Sequence, residues 1–207
     1  MFSLSIHVLA LAIGGPPIQV ESPDAACTCA AVQQTDGWCA KCRVGYLAGV
    51  KIESASFFEA LDAHGHQINP QRLVCDRCRK AYESFGYCDQ CKFGFVGKQA
   101  YFSKLTYLLA RGELREVNSI SCPTCRKHVE NAGWCDECRV GMVHTRAYRD
   151  RQEFEQAVTM RKALRVAIAQ AEKCLTCALA MINDSTCVEC QATYRDGARV
   201  PPPSPAP

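Results

Sequence analysis

Sixteen cysteines fall in this chain as eight close pairs, and the pairs group in turn into four sets of four. The sets are Cys27/Cys29 with Cys39/Cys42, Cys75/Cys78 with Cys88/Cys91, Cys122/Cys125 with Cys135/Cys138, and Cys174/Cys177 with Cys187/Cys190. In every set nine residues separate the second cysteine from the third. Two residues between cysteines allow a tight turn to aim both sulfurs at one point, and a second such turn after a short hairpin supplies the other two corners of a tetrahedron. Zinc accepts that geometry without ligand-field preference. A stretch such as 75–91 is far too short to bury an adequate apolar core, so something else must hold it folded. Structural zinc contributes roughly 10–16 kcal/mol of apparent binding energy per site, which becomes folding energy.

The four sets share more than sulfur. Gly37-Trp38, Gly86-Tyr87 and Gly133-Trp134 stand just before the third cysteine of the first three. A cation follows the fourth cysteine in the same three, Arg43, Lys92 and Arg139, where its charge is suited to offset a zinc tetrathiolate. Apolar-glycine-apolar triplets come next: Val44-Gly45-Tyr46, Phe93-Gly94-Phe95 and Val140-Gly141-Met142. The third cysteines stand at 39, 88, 135 and 187, so the unit repeats at intervals of 49, 47 and 52 residues. A period of that size marks a string of small units. Two sets depart from the pattern. Cys27-Thr28-Cys29 has one intervening residue, which makes the first site the weakest. The fourth has Ser185-Thr186 where the others have glycine and an aromatic, and Gln191 where they have a cation, as in an atypical terminal repeat.

In these residues the chain resembles the short zinc ribbons, found singly or in tandem as double zinc ribbons, with the pattern Cys-x2-Cys, about ten residues, aromatic-Cys-x2-Cys. Cys122-Pro123-Thr124-Cys125 through Trp134-Cys135-Asp136-Glu137-Cys138 is the nearest to that pattern. The resemblance covers the clamps, under half of the chain. It departs in one respect: those ribbons carry glycine directly after a cysteine pair, and here glycine follows three positions later. The resemblance implies a metal site and a ribbon fold, and a use in binding and scaffolding.

The expected fold is therefore a small metal-stabilised α+β chain: tandem zinc ribbons, which are short β-hairpins, joined by strand-helix linkers. Its divisions are residues 1–24, an apolar segment and linker; 25–74, 75–121 and 122–173, three ribbons each with a strand and helix; 174–198, a fourth ribbon; and 199–207, a Pro-rich tail. Gly45 to Ile52 has strand content, and Ser56-Phe57-Phe58-Glu59 reads as a capping box opening a helix through Ala63. Ser103 caps a helix to Leu109 or Ala110 with Leu105, Leu108 and Leu109 on one face. Asp150 and Glu153 open the longest helix, to about Lys173, with an apolar stripe of Phe154, Val158, Leu164, Ala167, Ile168 and Ala171. Phe58, Tyr107 and Phe154 each stand sixteen residues after the fourth cysteine of their unit, a repeated position that suggests packing. Trp38 and Trp134 read as lids over the zinc.

Met1 to Val20 carries no charged residue and resembles a marginal export signal, yet no Lys or Arg precedes its apolar run. It is too interrupted to span a membrane. Both a cytoplasmic and an exported location stay open. An exported chain would favour eight disulfides, but pairs spaced by two residues make strained disulfides and good chelates. The expected cofactor is Zn2+, about four per chain.

Twenty-four Lys and Arg against 21 Asp and Glu give a formal charge of plus three. Sixteen thiolates remove sixteen and four zinc ions restore eight, leaving minus five, which disfavours phosphate attraction. The densest cations, Arg77/Arg79/Lys80, Arg146/Arg149/Arg151 and Arg161/Lys162/Arg165, read as solvated faces. Catalytic zinc keeps an open position, whereas four cysteines close a site, so no enzyme is expected. The histidines are His7, His64, His66, His128 and His144, and His64-Gly65-His66 is at most an accessory ligand pair. The expected function is non-enzymatic zinc binding with a protein partner. The alternatives are metal handling, in which zinc, cadmium or copper(I) is cargo, nucleic-acid binding, and rubredoxin-like iron.

Overall fold

The computed structural model describes residues 27–201. The readings of Met1–Val20 and of most of the Pro-rich tail lie outside the described residues. Within them one plan recurs: a helix begins at the first cysteine pair, a strand leads to the third cysteine, the second pair makes the turn, and two further strands follow. In the first unit these are α1 (Cys29–Thr35), β1 (Gly37–Cys39), β2 (Val44–Leu47) and β3 (Val50–Ile52), trailed by α2 (Ala55–Leu61) and β4 (His66–Gln67). The second has α3 (Asp76–Ser84), β5 (Tyr87–Cys88), β6 (Phe93–Val96), β7 (Gln99–Tyr101), α4 (Lys104–Arg111) and β8 (Glu113–Leu114). The third has α5 (Pro123–Glu130), β9 (Gly133–Cys135), β10 (Val140–Val143), β11 (Arg146–Tyr148) and α6 (Arg151–Ala171). The fourth has α7 (Leu175–Ile182), β12 (Tyr194–Arg195) and β13 (Ala198–Arg199), with a lone Thr186–Thr193 bridge where the others have a first strand.

The α+β content and the antiparallel hairpins agree with the sequence reading, but half of each clamp does not. A ribbon with a knuckle at both ends is expected; instead Cys75, Cys122 and Cys174 are the N-caps of α3, α5 and α7. A helix N-terminus presents N–H groups free of helical partners, and these can point at sulfur as those of a knuckle would. The stretch 45–52 also bends: Ala48 and Gly49 adopt left-handed angles (φ 51° and 69°), which turn it into a hairpin. Ser54, not Ser56, caps α2, its hydroxyl accepting from Phe57 N–H at 3.2 Å. That helix ends at Leu61, two residues short of Ala63, because Asp62 takes a left-handed conformation. The other two caps stand where expected, Ser103 accepting from Thr106 N–H and Asp150 from Glu153 N–H.

The units interlock. β4, from the tail of the first, pairs with β7 of the second, and β8, from the tail of the second, pairs with β11 of the third. One apolar core draws on all four: Leu47, Ile52 and Phe57; Leu105 and Leu108; Val143, Tyr148, Met160 and Leu164; and Ile182. The apolar stripe of α6 lies in this core, packed chiefly on α7 and α4 and also on β10. Polar ties join the same parts. Arg161 of α6 is buried and donates from Nε to Ala48 O (2.8 Å), and Tyr148 Oη donates to Leu108 O (3.0 Å). Asp36 accepts from Ala48 N–H (2.6 Å) and from Arg146 Nη2 (3.0 Å), while Arg146 Nη1 reaches Leu109 O (2.7 Å). No helix among the described residues is long and apolar enough to cross a membrane.

Candidate metal centres

The structure gathers all sixteen predicted cysteines into the four expected groups, and in each group the four sulfurs lie within 4.8 Å of one another. With zinc–sulfur bonds of about 2.3 Å, the edge of a tetrahedron is roughly 3.8 Å. Cys122–Cys135 and Cys174–Cys187 are separated by 3.8 Å, and Cys75–Cys88 by 4.0 Å. Every one of these cysteines is a free thiol, and the separations are far beyond a disulfide bond. The residues present fit a tetrahedral thiolate-bound ion.

Two devices aim and charge the sulfurs. At the turns, Cys91 N–H donates to Cys88 Sγ (3.5 Å) and Cys190 N–H to Cys187 Sγ (3.4 Å); at a helix start, Cys177 N–H donates to Cys174 Sγ (3.3 Å). Backbone N–H donation from Cys78 and from Cys125 lowers the thiols of Cys75 and Cys122 to about 7, and donation from Cys42 lowers Cys39 to about 6. Their partners Cys78 and Cys125 move the other way, raised by burial and then by neighbouring thiols. Four thiolates this close repel one another, so full deprotonation calls for a divalent cation at the centre.

The groups are not equivalent. The second has no exposed cysteine, the third and fourth expose Cys138 and Cys190, and the first exposes both Cys27 and Cys42. In the fourth, Glu189 accepts from Thr176 Oγ1 (2.7 Å) and from Cys174 Sγ (3.3 Å). Although the Cys177 N–H lowers the Cys174 thiol, desolvation, the Cys177 thiol and Glu189 outweigh it and push Cys174 up to about 12. Spacing alone did not single out Glu189 as a neighbour of the Cys174 sulfur.

One reading of the flanking residues needs correction. Trp38 and Trp134 are not lids over the sulfurs. Side chains alternate along a strand, so Trp38 faces away from Cys39 and Trp134 away from Cys135. Trp38 meets Phe58 at 5.4 Å between ring centroids, Trp134 meets Phe154 at 5.7 Å, and Tyr87 meets Tyr107 at 5.5 Å. The repeated position sixteen residues after the fourth cysteine is thus a packing position, as expected. The residue after that cysteine is defined by its backbone: Arg43, Lys92, Arg139 and the uncharged Gln191 all have φ between 51° and 61°. Among the described residues none of these side chains hydrogen-bonds a sulfur.

The histidines divide. His7 lies outside the described residues, His128 packs against Gly133, and His144 Nε2 bonds Gln33 O at 2.6 Å. His64 and His66 converge with Asp62, a residue not flagged in the sequence, and the three potential ligand atoms lie within 4.8 Å of one another. Comparison with protein-family models, curated proteins and solved structures gave no match. What the chain's own geometry defines is a cysteine-rich protein with four tetracysteine groups arranged as metal-binding sites in a repeated unit.

Proposed function

We propose that this is a non-enzymatic multi-zinc protein in which four closed zinc sites hold the fold together and the assembled surface serves protein–protein interaction or assembly. The observation that carries the proposal is the set of four tetracysteine groups with every sulfur within 4.8 Å of its partners. Four thiolates at tetrahedral spacing favour zinc, which needs no redox chemistry and no fifth ligand. A closed site offers no coordination position to a substrate, so these centres support structure, and the use follows from the surface they hold in place. The charge of minus five after metallation keeps nucleic acid out of this reading.

The first test is elemental analysis and native mass spectrometry of protein purified without added metal, followed by chelation under reducing conditions. The expected result is four zinc per chain, with circular dichroism lost as zinc leaves. Zinc should leave the first group earliest and the second latest, in the order of their exposed cysteines. Fewer than three metals with disulfides in place of the missing ions would overturn the proposal, as would an iron chromophore. A second reading, zinc or a soft metal as cargo, is favoured by one observation, the exposure of Cys27 and Cys42. It predicts exchange at the first group while the ellipticity of the whole chain is retained.

A further inference from the structure

We propose that Asp62, His64 and His66 form a fifth metal site, open where the other four are closed, that takes a divalent first-row transition ion on two imidazoles and a carboxylate. His64 Nδ1 stands 3.0 Å from Asp62 Oδ1 and His66 Nε2 stands 2.8 Å from Asp62 Oδ2. With metal–nitrogen and metal–oxygen bonds of about 2.0–2.1 Å, neighbouring ligand atoms lie roughly 2.9–3.4 Å apart, so small adjustments bring these groups to a common ion. The His66 ring is hydrogen-bonded to Asp62 and the His64 ring lies beside the other carboxylate oxygen; each imidazole can bind an ion through the nitrogen facing Asp62 while its one proton sits on the other ring nitrogen. Imidazole with carboxylate is a donor set that suits zinc, nickel, copper and iron.

The three ligands are held by the end of α2 and by the outer strands of the second unit's sheet, whose Ala100 and Phe93 also pack around Cys78 and Cys88. Asp62 is the left-handed C-cap of α2 (φ 48°), with its N–H bonded to Glu59 O. His66 lies in β4, opposite Ala100 of β7, and its ring stacks on Phe102 at 4.5 Å and 24°. Phe102 in turn meets Phe93 at 5.0 Å. Gly65, between the two histidines, lies so close to Gln99 that a Cβ there would come within 2.5 Å of its side-chain oxygen. The linker between the first two units is thereby pressed onto the second unit's sheet with both imidazoles on Asp62.

Three protein ligands leave at least one coordination position for water or an added ligand. Asp62 and His64 also line a cleft of about 800 Å3 whose walls include Trp38, Phe58, Glu59 and Arg146. Two of the three candidate ligands therefore border a space large enough for a small molecule.

The test uses the full chain with its four tetracysteine groups loaded, counted by native mass spectrometry, then titrated with Zn2+ alone. Imidazole nitrogens are followed by 15N NMR. The expected result is a fifth zinc equivalent, with shifts at His64 Nδ1 and His66 Nε2. His64→Ala alters a side chain that is 74% exposed, and Asp62→Asn keeps a residue that tolerates the left-handed conformation. His66→Phe keeps a ring against Phe102. Each variant should hold its first four zinc ions and lose the fifth. A wild-type chain that stops at four in millimolar free zinc, or a fifth equivalent that survives in the His64→Ala/His66→Phe double variant, would overturn the proposal.

Discussion

Gly45, Gly94 and Gly141 each lie beneath an aromatic ring, those of Phe58, Tyr107 and Phe154, so close that an added Cβ would fall well inside van der Waals contact. Across the hairpin each glycine faces a second aromatic, Trp38, Tyr87 or Trp134. The missing side chain is what lets two rings close over the strand, and it explains why glycine and the residue sixteen after the fourth cysteine recur together. Gly94→Ala should therefore destabilise the metal-loaded protein by roughly 1–3 kcal/mol through overpacking, read as a lowered midpoint in urea at unchanged zinc content. An unchanged midpoint would mean that Tyr107 can move aside. At this scale the tetracysteine sites were legible almost completely, because spacing alone groups sulfurs that must meet at one ion. Asp62 was not legible, because its approach to His64 and His66 depends on a left-handed helix end that no local motif announces. Nor was Glu189, since one acid inside a cysteine pair looks like any solvated residue.

Elements meet through a small number of polar ties, of which the part-buried Asp36–Arg146 pair joins the corner between α1 and β1 to β11 and to the end of α4. Its side chains are only 10% and 18% exposed, so each ion depends on the other and on its backbone partners. Asp36→Ala removes the counter-ion of a part-buried guanidinium that keeps its bond to Leu109 O, and the expected cost is about 1.5–3 kcal/mol. By contrast Lys51→Ala, which breaks the exposed Lys51–Glu53 pair, should leave the melting temperature nearly unchanged. Thermal denaturation of both variants compares them directly, and equal effects would sink the assignment of Asp36–Arg146 as a structural joint. The helices α4 and α6 were readable from Ser103 and Asp150, since those caps stand before clear apolar periodicities. The helices α3, α5 and α7 were not, because Cys-x2-Cys serves a knuckle and a helix N-terminus with equal spacing. The hairpins after the second pairs were obscured for a related reason: Ala48-Gly49, Gly97-Lys98 and Asp196-Gly197 all adopt positive φ, yet only the last is a strong turn dipeptide.

Across the whole molecule, the repeat in sequence is not matched by independence in space. Nearest-neighbour stacking would allow a chain of repeats to be divided with loss of one interface only. Here Glu113 and Leu114, at the end of the second unit, form an edge strand of the third unit's sheet, while α6 of the third unit packs on α7 of the fourth and on α4 of the second. Arg161 carries a contact from α6 back to the first unit's turn at Ala48, 113 residues earlier in the chain. Lys104 of α4 meets Asp184 of the fourth unit at 3.2 Å. Cutting between Val117 and Ser121 passes through a stretch that interrupts none of the tetracysteine groups, so each half retains two complete sets of ligands. If metal alone determined folding, both halves would fold with two zinc ions each. The shared core predicts otherwise: the second half loses the Leu105, Leu108 and Ile52 side of the core around Met160 and Leu164, and the first half exposes Leu47, Phe57 and Leu105. The expected outcome is that each zinc-loaded half shows broad, low-temperature melting and slow-exchanging amides confined to its clamps, and that mixing the two restores a single sharp transition. Two sharp, independent transitions that sum to the thermogram of the intact chain would show instead that the clamps are self-sufficient and that the common core is a contact between finished units.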